Sequence, residues 1–230
     1  MKYISLVIPT FNEAKNLPLF FDEIEGIIDK SSFDLEYIVV DDNSPDGTGQ
    51  VADNLKSQYP IKVIHRAGKL GLGSAVIEGF KMSDREIVGV MDADLSHDPI
   101  IINSLLNALG EYDIAIGSRF MDSSVVESWV WWRRLISVVG VFLIKKISRA
   151  EDPLSGYFFI KKSVLSGVVL DTKGYKILFE ILVKGKWNKI KEIPFIFRMR
   201  KFSTSKLNYN EYWLFAKQVI GYSFYAFFRK

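Results

Sequence analysis

In the run Val88-Gly89-Val90-Met91-Asp92-Ala93-Asp94-Leu95, an apolar stretch ends abruptly in two carboxylates one residue apart. Such a stretch reads as a buried strand, and open α/β sheets bind ligands just beyond the carboxyl ends of their strands. Two acidic side chains in that place can hold a divalent cation through oxygen, the ligand that Mg2+ and Mn2+ prefer. A cation so held would neutralise a diphosphate. An Asp-x-Asp pair also occurs in ordinary solvated turns, so its company decides the reading. Arg66-Ala67-Gly68-Lys69-Leu70-Gly71-Leu72-Gly73 is a glycine-rich basic turn leading into a helix. Glycines let the backbone approach phosphate, Lys69 supplies charge, and a helix N-terminus favours anions. Two more apolar runs end in polar groups: Pro9, Phe11 and Glu13 follow the first, Asp41 and Asp42 the second. A carboxylate there can accept hydrogen bonds from ribose hydroxyls or base nitrogens.

These groups converge only if the segments between them form a mostly parallel sheet with helical crossovers. The alternation of patterns in the first half predicts that arrangement. Strands are expected over Tyr3–Ile8, Leu35–Val40, Ile61–His65, Glu86–Met91 and Asp113–Gly117. Helices are expected over Ala14–Asp29, Thr48–Gln58, Gly73–Met82 and near Pro99–Leu109. Asp41 to Gly47 is turn chemistry, and Asp41 and Asp46 read as shaping that turn. After residue 120 the rhythm changes to a long apolar helix, a short strand at Gly156–Lys161, helical spacing over Lys176–Val183 and a strand at Ile190–Arg198. Glu180 reads as a paired or solvated helix residue and His97 as a local hydrogen-bonding group.

Composition narrows the function. With 48% hydrophobic residues in 230, a sizeable core is expected. A net charge of +3 does not point to nucleic acid. The absence of cysteine removes disulfides, thiol catalysis and cysteine–zinc sites, and two histidines exclude a histidine-rich metal cluster. The N-terminal run reads as a first strand and not as a signal peptide, so a cytosolic location is expected. No segment offers the roughly 18 uncharged apolar residues of a membrane span. Two stretches come close, Trp129 to Ile147 and the aromatic-rich Tyr209 to Lys230. Aromatic rings with basic ends suit a helix lying at the membrane interface, and they equally suit core packing or a protein contact. The expected organisation is a catalytic domain over 1–207, containing an amphipathic helix within 120–150, and an interfacial helix over 208–230.

Gly71-Leu72-Gly73-Ser74-Ala75-Val76 also resembles the start of a dinucleotide-binding fingerprint. Val76 stands where glycine or alanine belongs, and the pattern follows the third strand, whereas the fingerprint opens the first βα turn. That reading is set aside.

Taken together, the runs resemble the dolichyl-phosphate mannose synthases, inverting family 2 glycosyltransferases with the glycosyltransferase A-type α/β fold. The resemblance rests on Ile8 to Glu13, Val40 to Thr48, Gly68 to Ala75, Asp92 to Leu95, Gly117 to Phe120, Asp152 to Phe158, Gly174 to Lys176, and Arg200 with Ser205-Lys206-Leu207. It implies transfer of mannose from GDP-mannose, or another sugar from a nucleotide such as UDP-glucose, to a polyprenyl or dolichyl phosphate. It implies a glycosyltransferase A-type fold with C-terminal interfacial helices and Mg2+ or Mn2+ as cofactor. Pro9, Phe11, Glu13, Val40 and Asp42 would frame the nucleotide. Asp92, Ala93 and Asp94 would lie along the diphosphate, with Lys69, Lys176, Arg200 and Lys206 as further donor-binding residues. Asp94 would be the principal metal ligand beside Asp92. Arg119 and Arg134 would hold the acceptor phosphate, with Ser137 on the same helical face as Arg134. Asp94, Arg119 and Arg134 are thus the expected catalytic groups.

Bland alternatives stay open: Arg119 could pair with Asp113 or Asp122, and Arg134 could be a snorkelling cation at a helix start. This chain departs from the family in two places. Ser96 stands where a glutamine metal ligand is usual, and Ser203 replaces a glycine before the Ser-Lys pair. Many members carry transmembrane helices after the catalytic domain. With none before Lys230, a membrane-anchoring partner protein or the interfacial helices are expected to bring the protein to the cytosolic face of a membrane. A non-catalytic sugar-nucleotide-binding subunit is the remaining alternative.

Overall fold

The computed structural model describes residues 1–121, 125–126, 147–171, 176–200 and 221–222. Strands and helices alternate as β1 (Lys2–Thr10), α1 (Leu17–Glu25), β2 (Phe33–Asp41), α2 (Thr48–Leu55), β3 (Ile61–His65), α3 (Leu72–Met82) and β4 (Ile87–Val90). A 3-10 turn, Pro99–Ile101, then leads into α4 (Ile102–Ala108) and β5 (Ile114–Ser118). Later come β6 (Val125–Val126), β7 (Phe158–Lys161), α5 (Ile177–Lys184), β8 (Ile190–Pro194) and β9 (Ile196–Phe197).

Two elements differ from the sequence expectation for identifiable reasons. The first helix starts at Leu17 and not Ala14, because side chains of the β2–α2 turn take the preceding backbone donors. Thr48 Oγ1 accepts from Glu13 N–H at 2.8 Å and Asp46 Oδ2 from Ala14 N–H at 3.1 Å. Pro18 then sits in the first turn, where its missing N–H costs nothing. The expected strand over Ile190–Arg198 divides at Phe195. Pro194, which has no N–H to continue a ladder, is the last residue of β8 paired with β5, and β9 pairs instead with β6.

The main sheet has seven strands in the order β3-β2-β1-β4-β7-β5-β8. Neighbours are parallel except around β7, which runs antiparallel to both β4 and β5. The carboxyl ends of β1, β2, β4 and β5 therefore share one edge. Because β7 runs the other way, its N-terminal lead-in, Asp152 to Tyr157, arrives at that same edge. One antiparallel strand thus adds a fifth group of residues to the crevice without adding a crossover.

Both sheet faces are buried, as parallel sheets require. Alternation along β1 sends Ile4, Leu6 and Ile8 to the layer with Phe20, Phe21 and Ile24 of α1, while Val7 faces Val76 and Phe80 of α3. Gly89, at the centre of β4, has no room for a side chain: a Cβ there would lie 2.2 Å from Phe159 Cδ1. Gly89→Ala is expected to destabilise the fold by about 1–3 kcal/mol through overpacking. A denaturant melt checks this, and an unchanged midpoint would contradict it.

Candidate active site

At the ends of β1 and β2 the acidic turn organises itself first. Asp41 accepts from Thr10 Oγ1 at 3.0 Å, Ser44 N–H at 3.0 Å and Ser44 Oγ at 2.5 Å. Asp46 accepts from both the N–H and the hydroxyl of Thr48. These acids shape the turn, as their sequence context suggests. Glu13 accepts from Asn16 Nδ2 at 2.6 Å, and Phe11 lies under Lys69, whose Nζ is 4.3 Å from the ring centroid. Val40 has no exposed surface and packs with Val7 and Ala75, so its side chain is core and does not line a pocket.

Asp42 is held more firmly than sequence suggests. One of its oxygens takes the Arg66 guanidinium and the other accepts Gly71 N–H at 2.9 Å. Arg66 is itself buried, and donates further to Glu78 Oε2 at 3.0 Å and Ser74 Oγ at 2.6 Å. The glycine-rich turn therefore offers its helix N-terminus to the protein's own carboxylate. Lys69 lies over Phe11, on the side of the crevice formed by β1. The first N–H of this turn is therefore already satisfied by Asp42.

Asp92 and Asp94 follow β4 directly. Ala93 is buried between them, and Leu95 adopts φ 63°, a sharp reversal. That reversal lets Asp94 Oδ1 accept from Ser96 N–H at 3.0 Å and from Ser96 Oγ at 2.5 Å. The other oxygen of Asp94 lies 2.5 Å from Arg200 Nε. Burial works against the Asp94 charge, but Arg200, His97 and Ser96 outweigh it and hold its carboxyl below the usual range. Asp92 shows the reverse: burial, reinforced by the nearby Asp94 charge, pushes its carboxyl up despite His97 and Arg200. Two acids so close, with opposite shifts, form a site that a cation would relieve.

His97 is buried and stacks on Tyr157 at 5.3 Å, and its Nδ1 accepts Asp92 N–H at 3.2 Å. Burial pushes its pKa down against the opposing pull of Asp92 and Asp94, and the Nδ1 contact fixes the Asp92 backbone.

Arg200 reaches Asp94 because the preceding residues are laid along the 96–98 turn. Arg198 N–H donates to Ser96 O at 2.9 Å, and its guanidinium bonds Asp98 at 2.7 Å and Glu23 at 2.9 Å. Nothing in the sequence singled out Arg198 or Asp98 for this task; only a contact across 100 positions reveals it.

Arg119 follows β5 and is gripped by Asp152, while Asp113 bonds Lys161 and the 188–189 backbone and Asp122 lies outside the described residues. Burial opposes its charge, but Asp152 more than restores it. Lys176, just before α5, donates to Leu154 O at 3.4 Å and acts electrostatically on Asp92. Glu180 is fully buried and accepts from Lys184 Nζ at 2.6 Å and Asp171 N–H at 2.5 Å. Arg134, Ser137, Ser203 and Lys206 lie outside the described residues, as do most of the two aromatic stretches. Tyr222 packs on Phe179 with centroids 5.5 Å apart, so the last stretch touches the core there.

Gly156 backs directly onto Asp92: an added Cβ would lie 3.0 Å from Asp92 Oδ2 and 3.4 Å from His97 Cε1. Gly156→Ala is expected to displace the Asp92 carboxylate and lower kcat about tenfold, since catalytic geometry tolerates little misplacement. Rate measurements beside a thermal melt test this; wild-type kcat in a folded variant would refute it.

The chain matches the family model described as glycosyl transferase family 2 over residues 5–176. It belongs to that family. It is similar to a dolichol-phosphate mannosyltransferase of Pyrococcus furiosus, 46% identical over 89% of this chain and 59% of that protein. A dolichol-phosphate mannosyltransferase of Mycosarcoma maydis is 34% identical over 94% of this chain and 77% of its own length. Among solved structures, glucosyl-3-phosphoglycerate synthase of M. tuberculosis superposes with a TM-score of 0.67 at 22% identity, covering 98% of this chain and 80% of that one. The fold is thus the glycosyltransferase A type, a mostly parallel sheet flanked by helices, and the protein is a family 2 glycosyltransferase.

The donor set fits a hard divalent cation. Among the described residues no three His, Asp or Glu side chains converge as a complete protein cage. Asp92, Asp94 and the Ser96 hydroxyl supply oxygen only, which matches a cation that completes its shell with water and substrate phosphate.

Proposed function

We propose that this glycosyltransferase moves mannose from GDP-mannose to a polyprenyl or dolichyl phosphate, inverting the sugar's anomeric carbon. The observation that carries this reading is the charge arrangement around Asp94. Arg200 lies 2.5 Å from it, and Lys176 and Arg119 both act electrostatically on the neighbouring Asp92. Such a recess suits a reaction that brings two anions together. The mannosyltransferase names of the relatives support the same sugar and acceptor.

A phosphomonoester has a second pKa of about 6, so the acceptor is largely a dianion at neutral pH and needs no base to activate it. Its oxygen attacks C1 in line as the nucleoside diphosphate departs on the opposite face. Arg200 and Lys176, with Lys206, stabilise the charge that develops on the leaving diphosphate. Asp92 and Asp94, with Ser96, would hold Mg2+ or Mn2+, which when bound neutralises the same diphosphate. Arg119, with Arg134 and Ser137, receives the acceptor phosphate. Phe11, Glu13 and Asp42 border the nucleotide side, and Pro9 ends the strand beneath them.

The lipid acceptor places the work at a membrane surface. No helix among the described residues is long and apolar enough to cross a bilayer. We assign the protein to a peripheral position on the cytosolic face, through its aromatic stretches or an anchoring partner. The test offers labelled GDP-mannose, UDP-glucose and other nucleotide sugars, with Mg2+ or Mn2+, to membranes containing polyprenyl phosphate. A β-linked mannolipid from GDP-mannose is expected. A different glycolipid would reject the donor assignment, and nucleotide release without any glycolipid would reject the acceptor.

A further inference from the structure

The segment Asp152-Pro153-Leu154-Ser155-Gly156 meets the ends of β4 and β5 and the start of α5. Gly156 packs on Asp92, Leu154 O accepts from Lys176 Nζ, and Ser155 Oγ donates to Gly117 O at 2.7 Å. Its one acid, Asp152, is 0% exposed and accepts from Arg119 three times: from Nε at 2.8 Å, Nη2 at 2.9 Å and the backbone N–H at 3.0 Å. An ion pair buried this far gains little net stability, because desolvation offsets the attraction. What it does supply is direction. A carboxylate on the Nε–Nη2 edge fixes the guanidinium plane. Phe120 and Phe197 flank the same cation, with ring centroids 5.6 Å and 5.7 Å from Cζ. Behind Asp152 stands Glu192, whose two oxygens accept Glu151 N–H at 2.5 Å and Asp152 N–H at 3.0 Å.

The geometry points to Asp152 as a positioning residue for acceptor recognition: by locking Arg119 it presets the guanidinium that meets the acceptor phosphate. This rests on the assignment of Arg119 to that phosphate in the proposed function. Presetting matters because a long arginine side chain otherwise loses rotamer freedom each time substrate binds. The direct contact of Arg200 with Asp94 lies on a different segment, so an effect through Arg119 falls mainly on the acceptor. Glu192 extends the same support one layer outward.

The experiment uses Asp152→Asn, Arg119→Ala and the double variant of the full chain, with dolichyl phosphate in detergent micelles as acceptor and GDP-mannose as donor. The amide keeps the side chain's size but loses the charge and one acceptor oxygen. Asp152→Asn is expected to raise the acceptor KM about tenfold, the worth of a buried charge-assisted hydrogen bond. Donor Kd, read by calorimetry, is expected to stay within about twofold, which a general loss of structure would not allow. In the Arg119→Ala background the same change is expected to add nothing, the signature of one residue acting through another. Full additivity in the double variant overturns the proposal and leaves Arg119 as a phosphate ligand. An unchanged acceptor KM in Arg119→Ala removes the Arg119 assignment itself, and this proposal with it. Should Asp152→Asn not fold, Glu192→Ala carries the test. Loss of its two backbone contacts is expected to raise acceptor KM about threefold without touching donor Kd, and an unchanged acceptor KM would overturn the inference.

Discussion

Replacing Asp94 with Ala is expected to lower turnover by about 10³-fold or more, equivalent to about 4 kcal/mol of transition-state stabilisation. The carboxylate is one of two positioned to take a cation, and it also anchors Arg200 through a 2.5 Å contact. Its removal withdraws an oxygen ligand and frees the arginine that would stabilise the departing diphosphate. Asp94→Asn separates the two roles. With its one oxygen turned to Arg200 the amide keeps that contact and gives up the Ser96 N–H bond, and it is a poor ligand for a hard cation, so it too should be almost inactive. Product formation would be followed with labelled donor over a range of Mg2+ and Mn2+ concentrations. Activity of Asp94→Ala within tenfold of the parent would remove Asp94 from the chemistry. A nearly normal Asp94→Asn beside an inactive Asp94→Ala would reduce its role to holding Arg200.

The largest stability loss is expected for Arg66→Ala, at about 3–5 kcal/mol, because it strands a buried carboxylate. Asp42 and Arg66 side chains are 7% and 4% exposed, and the pair ties the end of β2 to the start of α3. After truncation Asp42 keeps only Gly71 N–H as its carboxylate partner among the described contacts, and the turn from 66 to 71 loses its anchor. Lys69 travels with that turn, so donor affinity should fall as well. Chemical denaturation with unchanged m-value gives the stability loss, and GDP-mannose calorimetry gives the second effect. A loss below about 1 kcal/mol would mean that water already compensates the pair. Replacing both residues with apolar groups, Asp42→Leu with Arg66→Met, should recover much of the stability but none of the donor affinity, since a well-packed apolar pair avoids the desolvation cost.

Much of the architecture was legible from periodicity because each element is short and its pattern local. The third strand, Ile61–His65, coincides with its expected span, and the other described elements shift by a few residues, for α1 and β8 where side chains or a proline claim the backbone. The Asp-x-Asp pair was legible for the same reason: an apolar run that stops in two acids states its own position at a strand end. The bond from Gly71 N–H to Asp42 was not legible, since glycine spacing is the same with or without it. The ion pair of Arg119 with Asp152 was not legible, because the two lie 33 positions apart.

By itself the sequence determined which strand ends carry acids, where the chain turns, and the family to which its motifs belong, all of them properties of neighbouring residues. The tertiary structure alone decided which charges meet. Arg200 reaches Asp94 because Arg198 ties its segment to Ser96 and Asp98. Asp152 reaches Arg119 because β7 runs against its neighbours and delivers its lead-in to the site edge. Pairings of that kind follow from strand order and direction, and neither is written in the spacing of any single motif.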